Sequence, residues 1–141
     1  MNIENHQFNG FHALTADILV TVRPAFYPEA SNRLRSIYVW LYNVRIKNLR
    51  QNPVQLLSRY WQIYDSSSTV EETEGEGVVG QQPVLNSMEV FEYVSQTRLF
   101  TNSGLMKGKY TMLDKSSLEK FKVTIPTFSF DVDLLNPKFK N

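Results

Sequence analysis

Along residues 37–47 the side chains alternate: Tyr38, Trp40, Tyr42, Val44 and Ile46 are apolar or aromatic, and the positions between them turn polar at Asn43, Arg45 and Lys47. A period of two sustained over this length is the signature of a strand, here buried on both faces only at its start. No window of the chain carries apolar residues at i, i+3, i+4 and i+7 over three turns, so a helical layer is not the basis of the fold. The candidate strands are rich in Val, Ile, Tyr and Phe and are separated by turn signals. An all-β, two-sheet sandwich follows.

Eight strands are predicted, over residues 16–23, 37–47, 54–64, 69–76, 89–95, 106–113, 119–125 and 128–134. In the third of them Leu57, Trp61 and Ile63 share one face against Ser58 and Gln62, and the turn at 48–53 predicts a hairpin between the two long strands. Residues 65–68 and 114–117 read as hairpin turns, and 75–87 as a longer crossing segment of the kind a Greek-key sandwich needs. Period-two placement puts Trp40, Val44, Trp61 and Ile63 in the core, with Tyr38, Tyr42 and Phe91 also facing inward. One domain over 16–135 is expected, preceded by a flexible arm (1–15) and followed by a short tail (136–141).

Composition narrows the chemistry. The 141 residues include no Cys, which excludes thiol nucleophiles, cysteine-based metal sites and disulfides, and points to a reducing compartment. Fifteen basic against fourteen acidic residues give a net charge of +1, so no global field attracts nucleic acid. The N-terminus has no basic and apolar leader pattern, and the longest apolar stretch, 37–42, is far too short to span a membrane. A cytoplasmic protein without membrane insertion is expected. Charge is nonetheless uneven: residues 1–70 carry seven basic and four acidic side chains, and residues 71–141 carry eight and ten. That asymmetry is compatible with self-association as a homodimer or with an acidic partner.

The string Gly75-Glu76-Gly77-Val78-Val79-Gly80 matches GxGxxG, which in a dinucleotide site links a strand to a helix whose N-terminus holds the pyrophosphate. Here Pro83 follows and no helix can begin. Glu71, Glu72, Glu74 and Glu76 also place four carboxylates within six residues, an unfavourable field for phosphate. The segment reads instead as a crossover whose glycines allow positive φ or close backbone approach.

The blocks Gln55-Leu56-Leu57-Ser58-Arg59-Tyr60-Trp61, Val70-Glu71-Glu72, the glycine string continuing through Gln81-Gln82-Pro83-Val84-Leu85, and Phe91-Glu92-Tyr93 closely resemble the bacterial ApaG family. Ser103-Gly104-Leu105-Met106-Lys107-Gly108 and the run Ile125-Pro126-Thr127-Phe128-Ser129-Phe130 continue the resemblance in order. It spans about residues 16–135. Tyr60 departs from the pattern, since the family usually has His before the Trp, which removes an imidazole from any metal or proton chemistry there. The resemblance implies an immunoglobulin or fibronectin type III-like two-sheet sandwich, a link by phenotype to cobalt resistance and magnesium efflux, and a domain type reused in eukaryotic F-box and polymerase-interacting proteins. It brings no catalytic activity.

Candidate sites are few. His6 and His12 both fall in the N-terminal arm, and Ser58 has no histidine in the domain body to activate it, so hydrolase, transferase and dehydrogenase chemistry are not expected. Glu72, Glu74 and Glu76 share one side of an extended segment and could hold Mg2+ or Co2+ only weakly, whereas as a charged edge strand they would resist sheet-to-sheet pairing. No resident cofactor is expected. The candidate surface for an unidentified protein partner is the loop with Gly75, Gly77, Val78, Val79, Gly80, Gln81 and Gln82, flanked by Arg59 and Glu92. Val78 and Val79 stand between glycines with no strand period to bury them. The competing expectation is a weak divalent-cation, pyrophosphate or nucleotide site at Gly75 to Gly80.

Overall fold

Alternation becomes nine strands among the described residues of the computed structural model, which are 10–68 and 70–132. They are β1 (Phe11–Thr15), β2 (Ile18–Phe26), β3 (Tyr38–Asn48), β4 (Val54–Asp65), β5 (Val70–Glu76), β6 (Val84–Leu85), β7 (Val90–Leu99), β8 (Ser103–Asp114) and β9 (Lys120–Asp131). Two antiparallel sheets result, one in the order β1-β2-β3-β7 and the other β5-β4-β8-β9, with β6 also pairing β4. Their inner faces supply the core, where Trp40, Val44, Trp61 and Ile63 are all buried as the alternation predicts. Trp40 packs on Phe130 at 4.9 Å between ring centroids, and Trp61 meets Phe128 edge-on at 5.9 Å.

The predicted hairpin of the two long strands does not form: β3 and β4 lie in different sheets. Both strands carry a strong aromatic face, and packing those faces against each other buries both, which pairing side by side within one sheet cannot do. The corner between them is built by Asn48, which is fully buried. Its Nδ2 donates to the carbonyls of Asn52 (2.9 Å) and Leu85 (3.0 Å), and its Oδ1 accepts from the Arg50 amide (2.8 Å). Arg50 then reaches Asp114 at 2.9 Å across the sandwich. The Ser117 amide and Arg50 together hold the buried Asp114 carboxyl down to about 2.

Three further expectations change. Residues 11–15, placed in the flexible arm, pair with β2 from Phe11 opposite Val22 to Thr15 opposite Ile18, through a turn in which Ala16 and Asp17 both have positive φ. The predicted strands 119–125 and 128–134 are one strand, β9, which continues through Pro126. Proline is tolerated there because β9 is an edge strand and the β8/β9 register shifts between Met106 and Gly108, so no ladder bond is asked of it. Within 75–87 the chain stays on the second sheet as far as β6 and crosses only afterwards. His6, the rest of the arm and the chain beyond Val132 lie outside the described residues.

One side of the sandwich is closed by β9 against β1 and β2. The other side is bordered by β7 and β5, which among the described residues are the end strands of their sheets and do not pair with each other.

Candidate functional site

Between β5 and β7 the sandwich opens into a cleft of about 780 Å³, floored by Tyr42, Trp61, Tyr93 and Met106. Its walls are Glu71 and Thr73 on β5 and Ser95 and Thr97 on β7, and its mouth carries Val79, Arg98 and Phe100. Arg59 enters this cleft because it stands two residues before Trp61, on the same face of β4. The β4/β8 register shifts between Leu56 and Ser58, so Leu56 rather than the expected Leu57 is buried in the core.

Arg59 and the turn beyond it together explain the glycine string. Its Nη1 donates to the carbonyls of Glu76 (3.0 Å) and Gly77 (2.8 Å), clamping the end of β5. The guanidinium lies on Gly75, where a Cβ would stand 3.0 Å from both terminal nitrogens. Gly77 has φ +62, and a Cβ there would collide with the Gln81 carbonyl. Val78 and Gln81 exchange both backbone hydrogen bonds at 2.9 Å, closing a two-residue turn in which Val79 (φ 43) and Gly80 (φ 77) are both left-handed. The side chain of Gln82 secures the loop by donating to the Leu57 carbonyl at 2.8 Å.

A phosphate cradle is therefore not what the motif builds. The amides of Gly77, Val78 and Gln81 are committed to the carbonyls of Leu57, Gln81 and Val78, and no helix follows. The two valines also part company: Val78 is 1% exposed in the core, against expectation, whereas Val79 is 52% exposed. A tight turn explains the split, since Val78 lies in the bridge and points in, and Val79 is the turn tip.

The floor of the cleft is neutral. Tyr93 and Tyr110 share a buried hydroxyl–hydroxyl bond, and Tyr42 bonds to Ser95. Burial raises all three phenols above their ordinary value, and Arg59 only partly opposes it, so none is poised as a base near neutral pH. Tyr60, which replaces the imidazole, faces outward; partial desolvation and the neighbouring Glu72 raise its phenol as well. Ser58 shares that outward face. His12 sits on β1, with Nδ1 3.1 Å from Thr21 Oγ1, away from the cleft.

Glu72 and Glu74 stand on the outer face of β5 opposite Gln62 and Tyr60, while Glu71 points to the cleft and Glu76 borders it. Among the described residues no three His, Asp or Glu side chains are placed to hold a metal ion. Glu92 is separated from the rest of the predicted surface. It lies on the outer face of the first sheet, accepting from Asn43 Nδ2 at 2.8 Å and pairing with Arg45 at 3.4 Å, and it does not line the cleft. Sequence reasoning missed Ser95, Thr97, Arg98 and Phe100. The first two were legible from the period of β7 once Tyr93 was assigned to the core.

The model of the ApaG domain matches residues 28–114, which contain the Arg59 clamp, the turn and the cleft floor. The chain belongs to the ApaG family. The ApaG proteins of Methylocella silvestris and Bradyrhizobium diazoefficiens are 45% and 46% identical to it over 121 residues, covering 86% of this chain and 92% of each relative. A solved structure of the ApaA protein of Bordetella pertussis is 41% identical, covers 82% of this chain and 93% of its own, and superposes with a TM-score of 0.79. Such similarity places the sandwich with the ApaG fold. Among the described residues no helix is long and apolar enough to cross a membrane.

Proposed function

We propose that this ApaG-family protein is a cytoplasmic, non-enzymatic interaction module whose recognition surface is the mouth of the β5/β7 cleft, with the Val79 turn as its tip. The observation that carries this reading is Val79 itself, a β-branched residue held at φ 43 and 52% exposed. Left-handed backbone is costly for such a residue, and burial does not compensate the cost here. Asn or Gly would fit this turn without strain. The apolar tip faces the same opening as the exposed Phe100, so an apolar group of a partner protein can seat between them. The neutral tyrosine floor and the committed loop amides support binding over catalysis. The link to cobalt resistance and magnesium efflux implied by the family resemblance would run through that partner.

The test is an affinity capture from the native cell with the protein and with Val79→Asp. Capture should be lost while the thermal midpoint stays unchanged or rises, because Asp accepts left-handed backbone better than Val. Val84→Asp, at another exposed valine, serves as the control and should retain the partner. Undiminished capture by Val79→Asp would remove the turn from the recognition surface.

A further inference from the structure

Among the described residues the edge of β7 is unpaired and self-complementary, and we propose that two copies of the protein dimerise there by pairing β7 with β7 antiparallel about a twofold axis at Ser95. This inference goes beyond the Val79 surface and does not depend on it.

The phase of the edge is fixed by β3. Asn48 donates its amide to Glu89 (3.1 Å) and Leu49 donates to Asp17 (2.9 Å), so even-numbered residues of β3 bond toward β7 and odd-numbered ones toward β2. The β3/β7 register sets even opposite odd, as in Val44 opposite Tyr93, and runs unbroken from Tyr38 opposite Leu99 to Lys47 opposite Val90. Odd residues of β7 are therefore used by β3. Even residues, from Val90 to Arg98, direct their N–H and C=O groups to the open edge.

An edge of this length is usually blunted by proline, lysine or a bulge. β7 has none of these. On its outer face Val90 and Val94 are exposed, Val94 at 54%, and Phe100 is exposed just beyond its end. A second β7 must pair even residues with even ones, so a twofold axis falls on a residue and only a few registers exist.

With the axis at Ser95, Val94 faces Gln96 of the partner, Glu92 faces the partner's Arg98, and Val90 faces the partner's Phe100. Symmetry repeats each pair. An axis at Val94 sets Glu92 against Gln96 and Val90 against Arg98; an axis at Gln96 sets Val94 against Arg98 and Glu92 against Phe100. Of these three registers only that at Ser95 sets Glu92 against Arg98 and also gives an apolar pair, Val90 with Phe100. Glu92 is already positioned by Asn43 and Arg45, and about half of its side chain remains exposed to meet a further cation.

Sedimentation velocity on the full chain tests this, from micromolar to millimolar concentration. The protein should sediment at twice its 16.4 kDa mass. Glu92→Arg and Arg98→Glu should each weaken self-association by about tenfold or more, because each sets like charges opposite one another. An equimolar mixture of the two variants should form a 1:1 dimer, since one then carries arginine at both positions and the other glutamate at both. Ser95→Cys supplies a readout that does not rest on charge. The chain has no other cysteine, and residues opposed in a non-hydrogen-bonded pair have Cα atoms about 4.5 Å apart, within disulfide range. Oxidation should give a covalent dimer with Ser95→Cys and not with Thr97→Cys. Val79→Asp should leave the dimer intact, because Val79 lies outside the paired strand and only Phe100 is common to the two surfaces. A monomer throughout, a dimer retained by both charge variants, or Ser95→Cys that does not cross-link would each overturn the proposal.

Discussion

β5 and β7 border the same cleft, each is the end strand of its sheet, and each leaves its even-numbered backbone groups facing solvent. Their charges differ in kind. β5 carries Glu72, Glu74 and Glu76 at those even positions, so any antiparallel pairing of β5 with itself sets carboxylate near carboxylate. β7 carries Glu92 and Arg98 at equal distances from Ser95, so one pairing with itself matches opposite charges. Charge on an edge strand is thus no protection in itself. A single sign repels a copy, whereas two signs placed symmetrically specify one.

The largest expected effect removes what the two edges share. Trp61 floors the cleft and packs edge-on against Tyr42 (5.6 Å) and Tyr110 (6.4 Å), one from each sheet. Trp61→Ala should cost about 3–5 kcal/mol in urea unfolding as a core cavity. Amide exchange should accelerate along both β5 and β7; acceleration confined to one edge would show that the edges do not rest on a common floor.

The turn that ties the end of β5 to the cleft is the next point of attack. Gly77→Ala adds a steric collision to a left-handed backbone and should cost roughly 2 kcal/mol or more, whereas Gly80→Ala, with open space around its Cβ position, should cost about 1 kcal/mol. Equal costs in chemical denaturation would mean that the Gln81 carbonyl yields easily. Val79→Asn should act in the opposite sense, raising stability by about 1 kcal/mol as the strain is relieved while capture of the partner weakens. A variant with no gain would remove the argument that this residue is retained at a cost.

Much of the sandwich was legible because period two is a local signal, and the inward placement of Trp40, Val44, Trp61 and Ile63 needed nothing more. What was not legible depended on contacts distant in sequence. Whether β3 and β4 pair or stack is decided by which faces meet, and the buried Asn48 that turns the corner looks in sequence like any turn residue. The irregularity after Leu56 shifts the phase of β4 and buries Leu56 in place of Leu57, and no composition rule marks it. The site was half visible. The glycines and Arg59 were found as neighbours, but Glu92 was assigned to them without a register to show that it faces the other side of its sheet. Val78 looked like Val79 until the two-residue turn separated them.

The smallest predicted effect converts one edge into the other. The Gly77 amide donates to the Leu57 carbonyl (2.8 Å), so odd residues of β5 bond to β4 and an axis at Thr73 is the counterpart of the axis at Ser95. In that register Glu72 faces Glu74 of a second copy, twice. Glu74→Lys replaces both repulsions with ion pairs, worth about 0.2–1 kcal/mol each across strands. Made together with Arg98→Glu, so that β7 does not contribute, it should restore a weak, salt-sensitive association that Arg98→Glu alone lacks, seen as a concentration-dependent rise in sedimentation coefficient. If the double variant stays monomeric while the unaltered protein dimerises, charge matching is not sufficient. The apolar match of Val90 with Phe100 would then be what distinguishes the two edges, since about Thr73 the register sets Val70 opposite Glu76.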